Sequence, residues 1–245
     1  MLGRGRVLGQ DRLDEQARDR RGEPLRVLLG DALGKPPADP QRGQAGAGNS
    51  AAFGDPVSSQ LLQRACDSTG TVLAAVQPAD LGRPTPCALW TVRDVVNDVL
   101  GSTAFFAELA EAGEVADRDE EDPDFTAGDF NGTFSHHARR LVAAFNAPGA
   151  MDKIMRMPVG DLPGSVCVWI AAGDVFAHGW DLAKATGQPT DLEPELAGAL
   201  LARIMPLLPD SMRGPEGQAP FGPRVEVADS APTADRLAAF QGRHP

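Results

Sequence analysis

The 245-residue chain has no tyrosine and only three lysines, Lys35, Lys153 and Lys184. It also lacks any apolar run of the about 18–20 residues that a membrane-spanning helix needs. The early arginines are not followed by the apolar core of a signal peptide, so neither a membrane anchor nor export is expected, and the expected location is cytoplasmic. Cysteine is scarce: Cys66, Cys87 and Cys167 are odd in number, far apart and without CxxC spacing. This argues against a disulfide framework or a zinc ribbon and fits a reducing compartment. No Walker loop, GxGxxG turn or nucleophile elbow occurs. Positive charge is short as well, with 23 Lys and Arg against 34 Asp and Glu. The imbalance is uneven: residues 1–52 carry nine basic and seven acidic residues, the remainder 14 and 27. A body so acidic repels phosphates, which excludes nucleic acid and anionic membrane surfaces as expected partners.

Residues 1–52 show no sustained hydrophobic period and pass into the Pro/Gly/polar stretch KPPADPQRGQAGAGNS. They read as a disordered extension, or as residues upstream of the true start. From Phe53 the pattern is helical. Val57, Leu61, Leu62, Ala65, Cys66, Thr69, Val72, Leu73 and Val76 recur at three- and four-residue spacing and predict a first amphipathic helix. After a proline-rich loop, Thr91 and Asp94 form the start signal of a second helix reaching Ala112, with Trp90 placed to staple against Val95. A third helix is expected over Asp129–Asn146, an extended piece at Met155–Val159, a fourth helix over Gly164–Thr186 with Gly187 as its stop, and a fifth over Pro194–Leu208. The tail offers a strand at Pro223–Ala228 and a short helix at Pro232–Gln241. Four or five helices with long loops indicate an all-α bundle over residues 53–245.

The fourth helix is apolar almost all round, yet Asp174, His178 and Asp181 interrupt it at i, i+4 and i+7. At 3.6 residues per turn these share one stripe. Charged groups on a buried helix are costly unless paired or bound to a metal. Carboxylate and imidazole at this spacing are what bundles use to hold zinc and other divalent ions from facing helices. The same spacing equally fits a histidine bonded to aspartate inside a core, because a pair without further ligands does not fix a metal. A further ligand would have to come from another helix. Asp98 stands in the apolar run VVNDVLG, where an acid is unexpected, although the solvent edge of an amphipathic helix would also hold it. Asn97 reads as surface, His136 and His137 as solvated, His244 as a tail residue, and Cys66 and Cys167 as core. Cys87 reads as more exposed, with nothing nearby to activate it. Trp180 reads as helix packing.

Two of these segments carry a resemblance. TPCALWTVRDVVNDVLG resembles the helix-two signature of the DinB-like proteins, in the actinobacterial branch related to mycothiol-dependent maleylpyruvate isomerase. DVFAHGWDLAKATG resembles that branch's second signature, and FNAPGAMDK and the tail from Pro220 are similar to it too. The resemblance covers about Val57 to Pro245. It implies a DinB-like four-helix bundle with an extra C-terminal helix and short tail. A divalent metal, zinc in the first instance, would sit at one end. The family's carboxylate/histidine pair falls on Asp174 and His178, and its helix-two histidine falls on Asp98. Two carboxylates and one imidazole make a harder donor set, and Asp is shorter than His, which opens manganese, iron, a water-bridged site or no metal at all as alternatives. The activity implied is that of a thiol-dependent isomerase or S-transferase, with mycothiol as co-substrate and a small electrophile as substrate. Asp181, one turn further along, would be either a partner that supports the ligands or a helix-packing acid. A non-enzymatic binding or regulatory bundle with a degenerate site is the alternative, and the acidic loop Asp119–Asp124 is a third candidate feature, for partner binding.

Overall fold

The computed structural model describes residues 56–245 apart from 88, 116–122, 158, 159, 207, 209, 216–218 and 220. The expected N-terminal extension, the start at Phe53 and most of the acidic loop lie outside the described residues.

Four long helices carry the architecture: α1 (Pro56–Ala75), α2 (Val92–Ala112), α3 (Phe130–Asn146) and α4 (Gly164–Thr186). Each packs against two neighbours, in the ring order α1, α4, α2, α3. The result is the expected all-α four-helix bundle. Two shorter helices, α5 (Pro194–Ile204) and α6 (Thr233–Phe240), pack on each other and against α4. A two-stranded antiparallel hairpin, β1 (Ile154–Met157) and β2 (Gly160–Pro163), leads from α3 into α4.

The helix boundaries follow local chemistry. Thr91 Oγ1 accepts from the Asp94 N–H, and Asp94 Oδ2 accepts from the Thr91 N–H at 2.7 Å, a complete capping box that starts α2 and so sets the register of Asp98. Gly113 (φ 90°) ends α2 and Gly187 (φ 73°) ends α4, both left-handed and therefore suited to glycine. Asp129 caps α3 through the Gly132 N–H at 2.9 Å. The expected periodic positions form the core: Leu62, Leu73, Val95, Val99, Leu100, Leu141, Phe145, Phe176 and Leu182 are buried, and so are Cys66 and Cys167. Burial pushes both thiols up to about 12, so they are inert.

Helix α1 lies very close to α4. A Cβ on Gly179 would stand 2.3 Å from Thr69 Oγ1, and Thr69 donates to the Val175 carbonyl at 2.9 Å. That contact fixes the part of α4 that carries His178 and Asp181.

Three expectations change. The extended piece at Met155–Val159 is one arm of the hairpin, because Met155 and Arg156 find partners in Leu162 and Asp161. The helix expected to reach Leu208 stops at Ile204, just before Pro206, which has no N–H to continue the ladder. Pro223–Ala228 forms no strand. Its neighbour is the end of α6, to which Val225 gives a backbone N–H at Ala239.

Candidate metal centre

Helix α4 presents its polar stripe toward α2. His178 is buried at 8% exposure, yet it faces three carboxylates. Its Nε2 lies 3.1 Å from Asp98 Oδ2 and 3.6 Å from Asp174 Oδ1. Its Nδ1 lies 3.4 Å from Asp181 Oδ2, on the opposite side of the ring. The i, i+4, i+7 stripe is thus split by one imidazole, with an open side toward Asp98 and Asp174 and a closed side toward Asp181.

Asp98 therefore reaches the pair despite being shorter than a histidine. One ligand atom from each of Asp98, Asp174 and His178 falls within 4.8 Å of the others. Separations of this size suit neighbouring donors on a single ion with bonds of about 2.0–2.2 Å. Asp174 Oδ2 is buried without a hydrogen-bond partner, so the pocket holds an acceptor that the protein itself leaves unmatched. The residues present fit a divalent ion.

Behind the ring, Asp181 is fully buried and receives a bidentate pair from Arg243, with Nε to Oδ1 at 2.7 Å and Nη2 to Oδ2 at 2.8 Å. The Cys87 thiol also lies 3.6 Å from Asp181 Oδ2. The Trp90 ring stacks on His178 with centroids 5.7 Å apart and planes 18° off parallel, a role that its place before the helix start does not announce. Trp180 packs as expected and bonds Asp235 Oδ1 through Nε1 at 2.9 Å, which ties α4 to α6.

The electrostatics follow from this crowd. Burial favours the neutral form of His178, but the carboxylates of Asp174, Asp181 and Asp98 outweigh it and hold its pKa well above the ordinary value. Burial would raise the pKa of Asp174, and the His178 ring and the Ser102 hydroxyl lower it instead. Burial would also raise Asp181, and Arg243 with His178 pulls it down. The Asp181 carboxylate in turn raises Arg243 against its own burial. Counted with a neutral imidazole, three carboxylates against one guanidinium leave two negative charges in excess, and a proton on His178 reduces the excess to one.

Elsewhere, Asn97 is more than a surface residue. It donates to Asp124 Oδ1 and accepts from the Phe125 N–H, pinning the loop before α3. His136 is exposed as expected, but His137 is half-buried with Nδ1 3.1 Å from the Leu100 carbonyl. His244 is exposed. Arg243 has no periodic signal of its own in the sequence, although Gly242 just past a short helix is the stop signal that delivers it.

The family described as the mycothiol maleylpyruvate isomerase N-terminal domain matches residues 62–183. This span holds all three candidate ligands. The chain belongs to that family. It is also 40% identical over 183 residues to two uncharacterized proteins of Mycobacterium tuberculosis, Rv0738 of strain H37Rv and MT0763 of strain CDC 1551. Each match covers 74% of this chain and 94% of the relative. No solved structure matches. No helix among the described residues is long and apolar enough to cross a membrane.

Proposed function

We propose that this family member holds one divalent ion through Asp98, Asp174 and His178 and works with a small-molecule thiol, mycothiol, on an electrophilic substrate as an isomerase or S-transferase. The observation that carries the reading is the charge balance of the cluster. Its excess of two negative charges is neutralised by a divalent cation beside a neutral His178, whereas a proton on His178 offsets only one. The chemistry such an ion supplies when bound is a thiol acidified to thiolate near neutral pH.

The chain's own residues prepare the place. Asp98 and Asp174 are 18% and 30% exposed, so the ligand cluster opens to solvent on their side. Trp90 covers one face of the imidazole and limits its rotation. Asp181 Oδ2 lies 3.4 Å from Nδ1 without completing a hydrogen bond, and its negative charge there favours a proton on Nδ1, which leaves the Nε2 lone pair to the other two ligands. The mixed set of two carboxylates and one imidazole accepts zinc and also harder ions such as manganese or iron.

The test is metal content after reconstitution, for the wild type and for His178→Ala and Asp98→Ala, followed by mycothiol addition to cobalt-loaded protein. The expected result is about one ion per chain, lost in His178→Ala, and a thiolate-to-cobalt absorption band on adding mycothiol. A wild type that holds no divalent ion after reconstitution sinks the metal reading. It would favour instead a non-enzymatic binding or regulatory bundle, which the presence of Asp98 where the family has histidine supports.

A further inference from the structure

We infer that Arg243, carried by the C-terminal tail, is a positioning residue for the metal centre, so that occupancy of the centre and docking of the tail are coupled. This rests on the metal reading above. Helix α6 ends in two bonds, Gly242 N–H to the Ala239 carbonyl and Arg243 N–H to the Ala238 carbonyl, the paired pattern of a Schellman stop. Gly242 takes φ 94°, and a Cβ there would stand 2.4 Å from the Gly222 Cα. The crossing of these two glycines is held by Arg213, which donates to the Gly222 and Phe240 carbonyls at 3.1 and 2.7 Å. Backbone geometry thus aims the next side chain, Arg243, inward.

What it meets is Asp181, a carboxylate with no exposure at all. Without the guanidinium there, a fully buried charge would be left uncompensated, and the carboxylate would shift from its place beside His178. That shift changes the carboxylate that faces His178 Nδ1 and hence how the ring is oriented toward Asp98 and Asp174. The fork of Arg243 uses both Asp181 oxygens, which fixes the plane of that carboxylate. A lysine would supply charge without fixing the plane. Because coupling is reciprocal, an ion held by His178 must in turn favour the docked tail.

The full chain gives two independent measurements. The first is zinc affinity by chelator competition in the wild type, Arg243→Gln, Arg243→Lys and Gly242→Ala, with helical content checked by circular dichroism. Affinity should fall about 10–100-fold in Arg243→Gln, less in Arg243→Lys, and in Gly242→Ala as in Arg243→Gln, since there the guanidinium is kept but misdirected. Unchanged zinc affinity in a folded Arg243→Gln overturns the inference. The second measurement needs only the wild type. Trypsin can cut the Arg243–His244 bond only when the guanidinium leaves Asp181, so zinc should slow release of the His244–Pro245 dipeptide. Cutting after Arg139, within α3, serves as the control for global unfolding. An unaltered ratio of the two cuts with saturating zinc also overturns the inference. Should the wild type bind no divalent ion, the metal reading fails by itself. Positioning is then read from the ring-nitrogen NMR shifts of His178, which must differ between wild type and Arg243→Gln for it to survive.

Discussion

Asp98 Oδ2 and His178 Nε2 stand 3.1 Å apart and join α2 to α4. The contact brings a carboxylate to a nitrogen that already has Asp174 at 3.6 Å. Such a group of acceptors around one ring nitrogen is stable only with a positive charge among them, either a proton or a metal ion. Asp98 therefore decides how hard the donor set is. Asp98→Ala should cut divalent-metal affinity by more than the about 10–100-fold typical of losing an outer partner. Asp98→His should tighten zinc relative to manganese, because imidazole is softer than carboxylate. Parallel zinc and manganese competition titrations measure this, and an unchanged zinc-to-manganese ratio in Asp98→His would remove Asp98 from the ligand set.

Much of this site was legible in the sequence. Asp174, His178 and Asp181 stood out because a helix that is apolar on every side has no cheap place for them, and the capping box at Thr91 and Asp94 fixed the phase of Asp98 on α2. Both signals are local and periodic. Trp90, Cys87 and Arg243 were not legible as site residues because they arrive by tertiary routes. Two come from the loop before α2, and the third depends on the crossing of Gly222 and Gly242, which no spacing rule encodes. The burial of His137 is hidden from the sequence for a similar reason. Its neighbour His136 is exposed, and only the packing of α3 on α2 shows that the second ring turns inward to the Leu100 carbonyl.

Asp181 and Arg243 form a buried pair, so removing one partner should cost more than removing both. Asp181→Ala strands the guanidinium beneath the tail, and a loss of about 3–5 kcal/mol is expected, as for other broken buried pairs. Replacing both with apolar residues, Asp181→Leu with Arg243→Met, should recover much of that stability while leaving the metal centre without its support. Urea midpoints for the single and double variants form the cycle. Strictly additive losses would mean that the pair is not coupled.

Gly179 should tolerate no side chain. A Cβ would fall 2.3 Å from Thr69 Oγ1 and 3.3 Å from the Thr69 Cα, so α1 and α4 would have to separate. Gly179→Ala is expected to destabilise by about 1–3 kcal/mol, the usual cost of overpacking. Thr69→Ala removes the closest atom, along with its bond to the Val175 carbonyl. The double variant should therefore be less unstable than the two single losses added together. Thermal melts of the four proteins check this, and a Gly179→Ala protein as stable as wild type would contradict the close approach.

His137 gives a pH dependence away from the metal centre. Burial pushes its pKa below the ordinary 6.5, against the Leu100 carbonyl, which favours the protonated ring, while His136 and Arg140 add to the lowering. The Phe125 ring meets it edge-on from the loop before α3, and α2 presents only the Leu100 carbonyl among the groups acting on its charge. Unfolded chains consequently bind a proton at this residue more readily than the folded protein does. Its contribution to stability is whole above the ordinary pKa and is lost as pH falls through 6.5 toward the lowered folded value. His137→Gln keeps a donor for the Leu100 carbonyl but cannot titrate. Urea midpoints taken between about pH 7.5 and about pH 5.5 should fall more steeply for wild type than for His137→Gln. Parallel curves over that range would mean that the ring is as accessible to protons folded as unfolded.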